Sequence, residues 1–233
     1  MADMLGSRWL KAVVVGLAAI TYNNWALGSW LNPLLSKNNG SISEFSISGQ
    51  PHYLVFRILD VLSGILLIAT AALFVKNLDG SRPGRFILAV TAVMGIANIA
   101  DALITLPCSV TLSSTCSIPV RISFSHYQMP AHAYSSIALA VCYFLLPLAG
   151  LVYGLRQKHR LSIAVSALTL GSALYSLGSA LGHYIHIHSF TVRASGGGQE
   201  AEMIILVVWL VVFYLSVKPT PLVLNKAEAK HVS

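Results

Sequence analysis

The chain has 233 residues, of which 55% are hydrophobic and only 10% charged, with a mean hydropathy of +0.71. That is too little charge to cover a water-soluble domain of this size, and it marks an integral membrane protein. The net charge of +7 would suit nucleic acid, but the basic residues sit in short clusters between apolar spans, where they set orientation, so nucleic-acid binding is excluded.

Residues 1–7 are too short and too weakly basic for a signal n-region, and the apolar run behind them is longer than a signal core; the first span reads as a retained helix. Six stretches approach or exceed the roughly 20 apolar residues a bilayer requires: 9–31, 53–76, 85–106, 131–155, 161–185 and 202–217. The connections at 77–84 and 156–160 are tight turns, which makes the second and third spans, and the fourth and fifth, antiparallel neighbours. Cys108 and Cys116 share one short polar loop and are predicted to form a disulfide, whereas Cys142 lies in an apolar span as a packed free thiol. The Gly196-Gly197-Gly198 run reads as a hinge before the last span, and 218–233 as a polar tail.

Orientation follows from Lys and Arg. One set of span ends carries eleven of them (Arg8, Lys11, Lys76, Arg82, Arg85, Arg156, Lys158, Arg160, Lys218, Lys226 and Lys230) and the other only Lys37, Arg57, Arg121 and Arg193. The asymmetry predicts an all-α protein, a bundle of six transmembrane helices in one membrane domain, with both termini cytoplasmic, in a plasma or inner membrane.

Depth follows from the helical rise of about 1.5 Å per residue. Asp60 lies sixteen residues from Lys76, Asp101 sixteen from Arg85 and Glu202 sixteen from Lys218. All three carboxylates therefore reach one level, roughly 24 Å above the inner boundary. A lone carboxylate facing lipid there costs several kcal/mol, so the three are expected to point inward. Six of the eight histidines (His52, His126, His132, His183, His186 and His188) fall on the same outer side.

Imidazole and carboxylate at this density suit zinc, which needs three protein ligands and an open position for water. This reading takes Asp101, His126, His183 and His186 as ligands and Asp60 or Glu202 as the acid/base, with Asp101 alternatively joined by His132. The reaction would be metal-assisted hydrolysis of a lipid or amide at the outer leaflet. Two readings stand against it. One is a proton-coupled small-molecule carrier, since intramembrane acids mark proton relays. The other is a non-catalytic scaffold or sensor, in which Arg57 pairs with Asp60 or Asp101 and the histidines meet headgroups. Ser125-His126, with Ser135 and Ser136, would admit a Ser-His nucleophile, but no elbow motif surrounds them. Enzymatic activity, substrate and oligomeric state are left open.

Arg57-Ile58-Leu59-Asp60 opens the second span, Asp101 is followed by Pro107-Cys108 and Cys116, Ser125-His126 precedes the fourth span with Ser135 or Ser136 inside it, and Gln199 and Glu200 begin the last. In these features the chain resembles the DUF998 family of six-helix membrane proteins, whose function is not established. The resemblance implies that fold over nearly the whole chain. A looser similarity, to membrane hydrolases of the alkaline-ceramidase and adiponectin-receptor type, implies a Ser-Asp-His zinc site inside a helix bundle, although those proteins have seven helices.

Overall fold

The computed structural model describes residues 2–38, 40–78, 80–116, 121–123, 126–128, 131–186 and 196–217, and within them the side chains outside 2–7, 121–128, 176, 178–186 and 196–198. Six long helices carry the fold among the described residues: α1 Ala2–Tyr22, α2 Tyr53–Leu73, α3 Arg82–Leu103, α4 Ala131–Gln157, α5 Arg160–His186 and α6 Gly196–Ser216. Four helical stretches, α2, α3, α4 and Gln199–Ser216 of α6, are long and apolar enough to cross a membrane. Large apolar side chains such as Ile58, Leu103 and Leu168 stand more than 60% exposed on the outside of the bundle. Apolar surface on that scale suits a hydrocarbon solvent.

Each long helix packs on its neighbour in sequence, and α6 returns to α1, so the six close into a ring. The ring is tightest between α2 and α3. A Cβ built on Gly64 would lie 2.5 Å from the Gly95 carbonyl oxygen, and one on Gly95 would lie 2.5 Å from that of Gly64, so only two glycines let these backbones touch. Opposite them, Trp209 of α6 stacks on Phe213 with centroids 4.8 Å apart and donates its indole N–H to Ser166 Oγ of α5 at 2.8 Å. Tyr214 reaches across to α3, its hydroxyl 2.6 Å from Thr91 Oγ1. Buried hydroxyls in the helices return their protons to their own backbones, as Thr70 does to Leu66 O and Thr169 to Val165 O, which keeps them compatible with a dry interior.

The first helix ends at Tyr22, well before residue 31. Asn23 donates its amide to Ala19 O at 3.1 Å and accepts from Trp25 Nε1 at 3.0 Å, replacing backbone bonds that would continue the helix. A 3-10 turn at Asn24–Leu27, short helices at Gly28–Leu31 and Pro33–Lys37, and a 3-10 turn at Ile42–Ser46 follow. α3 starts at Arg82 because Ser81 Oγ accepts from Gly84 N at 3.1 Å and Pro83 occupies the first turn. Gly196 to Gly198 form the opening of α6, not a hinge before it, since a first turn leaves its N–H groups without intrahelical partners and tolerates glycine. The fold is helical, as the sequence predicts, with one short antiparallel pair of strands between α3 and α4, β1 Arg121–Ser123 and β2 His126–Gln128.

Cys108 and Cys116 form a disulfide, with Cα atoms 5.9 Å apart, and Cys142 is free and buried, both as the sequence predicts.

Candidate functional site

Asp60 and Asp101, with their hydrogen-bond partners, lie toward the end of the bundle that carries the disulfide. On α3, Thr91, Asn98 and Asp101 recur at helical spacing; Thr91 and Asn98 are buried, and Asp101 keeps 19% of its side chain exposed. Asp101 is the centre of the first cluster. Its Oδ1 accepts from Ser135 Oγ at 2.7 Å and from Ser136 Oγ at 3.0 Å, both on α4, and lies 3.3 Å from His132 Nδ1. His132, 5% exposed, also places Nδ1 2.8 Å from the carbonyl oxygen of Ile104, the residue after α3. A carbonyl oxygen only accepts, so Nδ1 carries a hydrogen, and in the neutral ring the lone pair is on Nε2. That lone pair faces Ser136 Oγ at 3.4 Å, one turn along α4.

The second cluster surrounds Asp60 of α2. Asn24, buried beyond the end of α1, donates its side-chain amide to Asp60 Oδ1. Asn98 donates to the Asp60 backbone oxygen at 2.7 Å and to Ser63 Oγ at 2.6 Å. Asn98, which holds the Asp60 backbone, stands one turn from Asp101 on α3, and the two acids and the buried Tyr22 of α1 are close enough to interact electrostatically. Glu202, the third acid of that level, is half-buried on α6 and sits near the Tyr143 hydroxyl, which donates to Ser172 Oγ at 3.3 Å. Asp60 and Asp101 are therefore brought together, and Glu202 belongs to the α4–α5–α6 side.

The pairing of Arg57 with either acid does not form. Arg57 turns toward the loops: Nε donates to Ser46 O at 2.8 Å and Nη2 to Ser48 Oγ and Thr105 Oγ1, both at 2.9 Å, while its guanidinium lies 5.1 Å from the Tyr53 ring centroid. At the end of a membrane helix the guanidinium reaches polar loop acceptors and the shorter Asp60 does not, so the two side chains part.

Of the residues expected to hold zinc, Asp101 and the alternative ligand His132 have described side chains. The backbone of His126 lies in β2 and those of His183 and His186 in α5, but their side chains, like all of His188, lie outside the described residues. Among the described residues no group of three or more His, Cys, Asp or Glu could hold a metal ion.

A charged residue that the motif reading passes over is Glu44, 1% exposed in the 3-10 turn. Oε1 accepts from Ser41 N and Ser41 Oγ, both at 3.1 Å, and from Thr111 Oγ1 at 2.8 Å; Oε2 accepts from Thr111 N at 3.1 Å and from Ser109 Oγ. Burial alone would raise its pKa, but the bonds from Ser109, Thr111 and Ser41 outweigh that and hold the carboxyl below the ordinary glutamate range. The sequence does carry a signal for it: Ser41-x-x-Glu44 is a capping-box pattern.

A family model described as "Protein of unknown function (DUF998)" matches residues 12–218, nearly the whole chain. No curated protein and no solved structure matches.

Proposed function

The chain belongs to the DUF998 family, and on that footing we propose that it is a proton-coupled carrier of a small polar molecule, six spans with both termini cytoplasmic and the disulfide end outside, in a plasma or inner membrane. The observation that carries the reading is the Asp101–His132 pair at the meeting of two apolar helices, 3.3 Å apart and largely shielded from solvent. With Nδ1–H directed at Ile104 O and Asp101, a proton entering the pair goes to Nε2, and the imidazolium so formed is stabilised by the adjacent carboxylate. Ser136, whose hydroxyl touches both the carboxylate and Nε2, is placed to pass that proton. Among the described residues, Asp60 and Tyr22 are titratable groups close enough to Asp101 to interact with it electrostatically; Asn98 and Thr91 continue the polar lining of α3 inward. The disulfide supports an oxidising compartment on its side, and the excess of Lys and Arg at the opposite span ends supports the orientation.

Proteoliposomes under an imposed proton gradient, offered a panel of amines, amino acids, sugars and carboxylates, test this. Gradient-driven uptake of a panel member by the wild type, abolished in His132→Asn and Asp101→Asn proteins that still melt cooperatively, is the expected result. Uptake indifferent to the gradient, or unchanged in Asp101→Asn, overturns it. Stoichiometric zinc that is lost in His183→Ala would replace it with the metal-assisted lipid or amide hydrolase, with Asp101, His126, His183 and His186 as ligands and Asp60 or Glu202 as acid/base.

A further inference from the structure

The segment from Ile104 to Cys116 touches His132 at one end and, further along, the 3-10 turn Ile42–Ser46. Ile104 O accepts from His132 Nδ1, Thr105 Oγ1 from Arg57, and the Glu44 carboxylate takes its bonds from Ser109 and Thr111. Ser109 and Thr111 both lie inside the ring that the Cys108–Cys116 disulfide closes. Glu44 belongs to the 3-10 turn Ile42–Ser46, which packs on α2, α3 and α6 through Phe45, whose ring lies 5.0 Å from Phe56, and through Ile42, whose N–H donates to Gln199 Oε1 at 3.1 Å. One short cross-linked loop thus grips this turn, the cap, through the buried Glu44 carboxylate, with Arg57 bridging Ser46 and Thr105 beside it, and runs back to the imidazole.

We propose that the Cys108–Cys116 loop is a redox-controlled strap that holds the cap shut at the mouth of the bundle and keeps His132 closed to solvent. Closed as a ring, the loop presents the Ser109 and Thr111 donors to Glu44 with little freedom left to lose. Reduction by an external dithiol breaks the S–S bond; two electrons and two protons pass to the sulfurs, leaving two thiols, and the dithiol becomes a disulfide. The donors are then on a slack loop, the grip on Glu44 weakens, and local opening at the mouth becomes more frequent without unfolding of the ring. The inference stands on contacts at the mouth and is independent of whether the pair carries protons.

Carbethoxylation of His132 by diethyl pyrocarbonate, followed peptide by peptide by mass spectrometry on the full chain in nanodiscs, reads the opening. Buried Cys142, probed with a maleimide, reports unfolding of the ring. The dithiol-reduced wild type after removal of the reductant, the double variant Cys108→Ser/Cys116→Ser, and Glu44→Gln with its disulfide intact should each modify His132 several-fold faster than the oxidised wild type while Cys142 stays unreactive. A His132 rate unchanged by reduction, unchanged in Glu44→Gln, or rising only together with Cys142 reactivity overturns the strap.

Discussion

Replacing Gly64 by Ala is predicted to damage the protein out of proportion to one methyl group. The new Cβ would stand 2.5 Å from the Gly95 carbonyl oxygen where ordinary contact begins at 3.4 Å, so α2 and α3 must separate by about 0.9 Å. The same displacement would stretch the bonds from Asn98 to Ser63 Oγ and Asp60 O, now 2.6 and 2.7 Å, beyond the roughly 3.2 Å limit of a good N–H···O bond. Overpacking costs about 1–3 kcal/mol and each of the two weakened bonds about 1 kcal/mol, so a loss of about 3–5 kcal/mol is expected. Gly171→Ala is the control: nothing lies within 4 Å of the place its methyl group would take on the exposed surface of α5, and helix propensity there favours Ala by about 0.5–1 kcal/mol. Unfolding titrations in detergent measure both. Gly64→Ala and Gly171→Ala agreeing within about 0.5 kcal/mol would refute the close-approach argument.

Arg57→Met should cost about 1 kcal/mol, because it removes loop hydrogen bonds and orphans no carboxylate; a loss above about 3 kcal/mol in the same titration would show that an interior acid depends on it. Glu44→Gln should flatten the acid limb of stability against pH. The folded pKa of Glu44 lies below its unfolded value, so its contribution is complete above the ordinary glutamate range and lost as pH falls through the folded value. Wild type and variant with parallel melting temperatures from neutral to acid would remove that assignment. Trp209→Phe withdraws the N–H that Ser166 Oγ accepts and leaves a gap beside Gly150, for an expected loss of about 1–3 kcal/mol in detergent unfolding; a neutral result would show that Ser166 finds another donor.

What could be read in advance divides along a physical line. Helix existence follows from apolar runs, and depth follows from a rise per residue that no neighbour alters, so counting alone places Asp60 and Asp101 inside and near each other. The disulfide is legible for a similar reason: eight positions of separation leave two cysteines of one short loop little choice of partner. Side-chain partners obey no such count. Arg57 and Asp60, three apart on one helix, are the neighbours a helical surface normally pairs, yet the loop supplies Ser46 O and Thr105 above while Asn24 supplies an amide within, and the two part company. Those partners come from segments remote in sequence, and their arrival depends on the break at Asn23 and on the fold of the 3-10 turn.

The histidines make the same point more sharply. Spacing singles out the dense tract at residues 183 to 188, because three imidazoles within six residues is the stronger pattern on paper. His132 belongs to no such tract, with His126 six positions away, and owes its place to two other features: Ile104, whose carbonyl is released for bonding because α3 stops at Leu103, and the α3–α4 packing that sets Asp101 against Ser135 and Ser136. A free carbonyl at a helix end is a geometric by-product of termination, and here it chooses the tautomer. The hydrogen on Nδ1 is therefore held by two acceptors, the Asp101 carboxylate and a carbonyl set free where α3 ends, so an extension of α3 past Ile104 would withdraw one of them without changing any ionisable residue.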